Sequence, residues 1–165
     1  MGAYYFYVNE TKQQYFRIDP AGFDIKKYAL GRNIGSRALS YLILDNSYDS
    51  TGVESDPLVG SWIGDTFFVT GDDYCEAFDS IKSTYEDIGQ SIIELIVRVN
   101  PWDLIEYGGA DWLINVIEHA GDPITITPPM RKRLSHEFRH ANHQNPSDEL
   151  RRVISALRVE SVERD

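Results

Sequence analysis

The segment from Gly60 to Tyr74 constrains the fold more than any other part of the chain, because it sets a short apolar run between two glycine–aspartate pairs. Gly64-Asp65 precedes the run from Thr66 to Thr70, and Gly71-Asp72 follows it. Turn-forming residues on both sides of β-branched and aromatic ones predict a buried strand. A helical pattern starts directly afterwards. Tyr74, Ala77, Phe78, Ile81, Tyr85 and Ile88 recur at spacings of three and four, so one helix face is apolar. Gly89 loosens that pattern, and Ile92, Ile93, Ile96 and Val99 continue it.

Upstream, residues Tyr4 to Asn9 and Gln14 to Asp19 are aromatic and β-branched, with Glu10–Gln13 as the turn of a hairpin between them. Helices are predicted over Asp24–Leu30 and Ser36–Leu44. The polar stretch Asp45–Leu58 reads as a loop. Its Asp45, Ser47 and Asp49 have the first spacings of a calcium loop, but Ser50 replaces the required glycine and Asp56 the final glutamate. Downstream, Asn100-Pro101 predicts a helix start, Gly108-Gly109 an interruption and Gly121 an end. Ile124–Thr127 reads as a further edge strand. Helices follow over Met130–His143 and, capped by Asn145-Pro146, through Leu150, Val153, Ile154 and Leu157. The expected class is α+β: a small antiparallel sheet with packed helices over residues 1–100, then a helical C-terminal extension over 101–165, packed on the core as one globular domain.

The chain has 165 residues and a formal net charge of −10. Such acidity speaks against a nucleic-acid-binding protein, which needs a cationic footprint. No apolar run is long enough for a membrane span. Without a basic start and apolar core to act as a leader, the expected location is cytoplasmic. The charge is unevenly spread. Nine acids and no lysine or arginine lie between Asp45 and Asp79, whereas Arg131 to Arg158 holds seven bases against three acids. The single cysteine, Cys75, reads as a small packing residue of the helix that starts at Tyr74.

Tyr4, Tyr5, Val8, Asn9, Thr11, Lys12 and Tyr15, together with Gly60, Trp62, Gly64, Asp65, Gly71, Asp72 and Tyr74, are spaced as in a group of small uncharacterised proteins of bacteria and fungi. Over residues 4–90 the chain resembles that group. The resemblance implies a shared fold unit and no activity. Within it, Trp62, Asp65, Asp72 and Asp73 are the candidate binding residues; turn and core chemistry is the competing role for Trp62, Gly64 and Asp65.

One string has a catalytic form. His136-Glu137-Phe138-Arg139-His140 fits H-E-x-x-H, which on a helix presents two histidines to one zinc ion, with Glu137 as the base for a metal-bound water. Glu160 stands at the interval where zinc peptidases similar to thermolysin supply a third ligand. At about 100° per residue, however, His136, His140 and His143 share a face with Lys132, Arg133 and Arg139, opposite the apolar Met130, Leu134, Phe138 and Ala141. A dication wants carboxylates around its histidines, not guanidiniums. Arg133 and His140 also have the spacing of the Arg–His pair in helical ribonucleases of the HEPN type, where arginine holds a phosphate and histidine moves a proton. The third reading of this face is a cationic surface, solvated or docked on an acidic one such as the protein's own Asp45–Asp79.

The composition favours a non-enzymatic protein that binds another, basic protein. An immunity or antitoxin type, whose aspartates mimic nucleic-acid charge, is one version. The alternatives are zinc-dependent peptidase and HEPN-like ribonuclease. No cofactor is expected outside the zinc reading.

Overall fold

Strand β1 (Tyr5–Asn9) is buried at four successive positions, Phe6 to Asn9, so both of its faces are covered. The structure, a computed structural model, describes residues 5–17, 33–45, 56–71, 75–119, 124–140 and 147–159. Two compact units are present, Met1–Leu95 and Ile96–Asp165. The fold is α+β, and the sheet lies wholly in the first unit.

The sheet has the order β3-β1-β2-β4, with β2 at Gln14–Phe16, β3 at Phe67–Gly71 and β4 at Glu86–Asp87. The predicted hairpin forms, pairing Tyr7 with Phe16 and Asn9 with Gln14. Its four-residue turn ends at Gln13, whose φ of 53° is left-handed, as such loops require. β3 pairs antiparallel with β1, whereas β4 pairs parallel with β2, so the sheet is mixed.

Alternation along β1 feeds two cores. Phe6 and Val8 join Tyr15, Phe78 and Ile81, the last two from α2 (Cys75–Thr84). On the other face Tyr7 stacks on Phe16 at 4.9 Å between ring centroids, and Phe16 meets Trp62 at 5.6 Å. Helix α1 (Ile34–Leu42) also lies there. A Cβ on its Gly35 would come within 2.6 Å of the Tyr7 ring, so glycine permits that approach.

The apolar period from Tyr74 to Ile88 predicts one helix; α2 instead ends at Thr84. The backbone then turns to pair with the hairpin: Glu86 N donates to Gln13 O and Ile88 N to Tyr15 O. The hydroxyls of Ser83 and Thr84 both donate to Ser80 O, a local competition that helps terminate the helix. Asp87 Oδ1 then accepts the Gly89 N–H at the start of α3 (Gly89–Val99), which crosses the division between units.

The second unit continues with α4 (Trp102–Gly108), α5 (Ala110–Glu118), α6 (Pro128–His140) and α7 (Asp148–Val159). Pro101 already has helical angles, and Gly109 at φ 79° makes the predicted break between α4 and α5. Trp112 packs against Gly108 so closely that a Cβ there would lie 2.4 Å from its ring. Glu149 of α7 accepts the Ala110 N–H at the start of α5, an anion at a helix N-terminus. Ile124–Thr127 adds no strand; Ile124 and Ile126 are buried side chains of an irregular segment leading into α6. Ser147 caps α7 through its Oγ, which accepts the Leu150 N–H. The helix expected over Asp24–Leu30, most of the Asp45–Leu58 loop, the Asn145-Pro146 cap, Gly121 and the side chain of Cys75 lie outside the described residues.

Candidate functional site

Helix α6 carries the H-E-x-x-H string on the face that the periodicity predicts. Met130, Leu134 and Phe138 are buried, and Phe138 meets the Trp102 ring edge-on at 4.8 Å. The His136 side chain is 65 % exposed, and its ring centroid lies 4.3 Å from that of His140. One helical turn thus brings the two histidines together, as zinc would need. Glu137 is occupied differently. Its Oε1 lies 3.4 Å from Arg133 Nη2 and 3.6 Å from His136 Nδ1. Arg133 therefore supplies its counter-charge, in a pair between partly exposed side chains of one helix. Glu160 and His143 lie outside the described residues, among which no three His, Cys, Asp or Glu side chains are gathered to hold a metal ion. Arg133 and His140 share the face but are joined by no contact; each is engaged by its own neighbour, Glu137 and His136 respectively.

The two sequence motifs of the first unit, about fifty residues apart, meet in one hydrogen-bonded knot. Asn9 is fully buried; its Nδ2 donates to Asp65 Oδ2 at 2.7 Å and its Oδ1 accepts the Lys12 N–H at 2.8 Å. Lys12 Nζ reaches Ser61 O at 2.5 Å and lies 3.9 Å from Asp65 Oδ2. Thr66 N donates to Thr11 Oγ1, and Glu10 N to Thr66 O, each at 2.9 Å. Gly60 and Gly64 take φ of 70° and 79°, which turns this segment around the hairpin tip. The Trp62 side chain is wholly buried, with its Nε1 donating to Gln14 Oε1 at 3.3 Å. Trp62 and Asp65 thus have internal partners, and what they bind is the hairpin. Asp72 and Asp73 lie outside the described residues.

Two tyrosines beside this knot titrate abnormally. Burial raises the Tyr7 hydroxyl to about 12, only partly offset by its hydrogen bond to Asn33 Oδ1 at 3.2 Å. Burial also raises Tyr15, helped by the negative charge and hydrogen bond of Asp87. Both shifts keep a phenol neutral, so neither residue is prepared as a base.

Strand β3 departs from expectation. The sequence predicts a buried strand; the topology puts it at the sheet edge, where Phe67, Phe68 and Val69 are 38 %, 40 % and 41 % exposed. Ile63, just before it, is 52 % exposed. An apolar run has the same sequence signature whether it is central in a sheet or covered by another chain, so periodicity does not separate the two. The sequence from Asp45 to Asp79, within which β3 lies, contains nine acids and no lysine or arginine.

No protein-family model, curated protein or solved structure matches the chain.

Proposed function

We propose that this is a protein-binding protein without catalytic activity, which takes up an extended segment of a basic partner along the edge of β3. The observation that carries the reading is the exposure of three consecutive apolar side chains on that edge. Phe67 and Val69 point to one side of the sheet and Phe68 to the other, so a covering strand would gain apolar contact on both. Natural edge strands are usually protected by lysine, proline or a bulge. β3 has no lysine or proline, and among the described residues no strand pairs with its outer side. Strand addition supplies backbone hydrogen bonds, with side-chain contacts giving selectivity.

The partner's charge follows from the surroundings. β3 lies inside the stretch that has nine acids and no base, so Lys or Arg flanking the incoming strand is attracted and acidic flanks are repelled. An immunity or antitoxin role against a basic effector is a specific form of this reading.

The test is titration with a synthetic peptide of alternating valine and threonine flanked by lysines, beside the same peptide flanked by glutamates. The lysine peptide should bind, weakening by about tenfold between roughly 0.05 and 0.5 M salt. Phe68→Lys should abolish that binding without unfolding the chain. Equal binding of the two peptides, or indifference to salt, contradicts the charge assignment. Self-association lost in Phe68→Lys would identify the occupant as a second copy of the chain instead.

A further inference from the structure

Exposed apolar side chains are ordinary when scattered and informative when gathered. Among the described residues the large ones are Ile43, Leu44, Ile63, Phe67, Phe68 and Val69, between 37 % and 52 % exposed, and all six belong to the first unit. Three segments supply them: the residues that follow α1, the turn before β3, and β3 itself.

Trp62 ties these segments together. Its backbone N–H donates to Leu42 O at 2.9 Å, directly before Ile43, and its ring centroid lies 6.2 Å from that of Phe67. A Cβ on Gly60 would meet Leu44 O at 2.9 Å and Ile63 Cδ1 at 3.1 Å, so Leu44 and Ile63 flank the same point. The pairing of β3 with β1 then decides the side of the sheet. Phe67 and Val69 stand opposite Asn9 and Tyr7, on the face that packs Phe16, Trp62 and α1. Phe68 stands opposite Val8, on the face that packs α2, whose charged residues Glu76, Asp79 and Lys82 are exposed. The two sides of the edge therefore differ. One is joined by apolar side chains from two further segments, and the other borders a charged helix.

A strand directs successive side chains to opposite faces. A strand added to β3 thus lays one alternate set on the Trp62 side and the other set toward α2. Large apolar residues in the first set would cover surface that water now meets, whereas the second set has only Phe68 to cover on its side of β3.

We infer that the segment taken up by β3 is an amphipathic strand of the basic partner, with a large apolar side chain at every second position. Those side chains sit against Phe67, Ile63 and Leu44, and polar ones between them face α2. The inference rests on the β3 reading above and adds which face of the edge selects the partner's side chains.

Calorimetric titration compares two lysine-flanked peptides, one alternating phenylalanine with threonine and the other valine with threonine. The phenylalanine peptide should bind about tenfold tighter. Ile63→Ser and Leu44→Ser should each cut that ratio to about threefold or less. Phe68→Ser, on the other face, should weaken both peptides alike and keep the ratio. Circular dichroism of each variant verifies that the fold persists. Equal affinity for the two peptides overturns the inference and leaves the β3 reading standing. A ratio that falls in Phe68→Ser and not in Ile63→Ser also overturns it, since the apolar set would then face α2. Binding of neither peptide contradicts the β3 reading itself, and the inference falls with it.

Discussion

The two units of the chain use polar and apolar residues in opposite ways. Met1–Leu95 holds seven lysines and arginines against fifteen acids, yet the residues it exposes on its sheet edge are Phe67, Phe68 and Val69. Ile96–Asp165 is nearly balanced, with nine against eleven; among its described residues no large apolar side chain is exposed, whereas arginines line an open pocket. In the first unit the conspicuous polar residues, Asn9, Lys12 and Asp65, are consumed in holding the hairpin to the Gly60–Asp65 turn. In the second the conspicuous H-E-x-x-H string lies on a solvent face, and the pocket is built by less conspicuous arginines nearby. A side chain's chemical character is therefore a poor guide to its role until its partners are known. Asp65 has the same carboxylate as Asp148, but the first has a buried asparagine to satisfy and the second faces water.

The sharpest way to break this comparison is to truncate what the first unit buries. Trp62→Ala should lower stability by about 3–5 kcal/mol in urea unfolding, since a wholly buried indole is lost from the aromatic stack. A loss under 1 kcal/mol would show that Trp62 is not a core residue. Asp65→Ala comes next. It leaves Asn9 Nδ2 buried without its acceptor and should cost about 1–3 kcal/mol. Should Asp65→Ala fold with unchanged stability, the polar knot would be dispensable and Asp65 released for binding.

The smallest effect sharpens the comparison through pH. The Tyr7 hydroxyl is raised in the folded chain to about 12 from an ordinary value of 10. Between those values the unfolded chain ionises while the folded one stays protonated. Stability from this group is thus intact below pH 10 and lost as pH rises from 10 to 12, by up to about 1.4 kcal/mol per pH unit. Tyr7→Phe removes the hydrogen bond to Asn33, costing about 1 kcal/mol at neutral pH, and should flatten that alkaline loss. An unchanged alkaline slope in Tyr7→Phe would assign the loss to other groups.

Much of the local structure was legible in the chain. The hairpin around Glu10–Gln13, the proline start and double-glycine break around α4, and the buried face of α6 follow from turn chemistry and helical period. These depend on neighbours within about one helical turn or one tight turn, which sequence displays directly. The break after Thr84 was not legible, because it answers to hydrogen bonds that Glu86 and Ile88 donate to the carbonyls of Gln13 and Tyr15, about seventy residues earlier. The failed strand at Ile124–Thr127 has a related cause: apolar alternation specifies burial of Ile124 and Ile126 but not a strand to pair with.

By itself, the sequence determined the α+β class, the acidic middle and basic tail, and which helix faces are apolar, because each is a property of composition or local period. Only the tertiary structure decided that β3 is an edge, that Asp65 serves Asn9, and that Arg139 shares a pocket with residues of α7. Those are questions of which distant residues become neighbours. Strand order and helix pairing settle them through burial and hydrogen bonding across the whole unit, and a period of two or 3.6 residues carries no record of that choice.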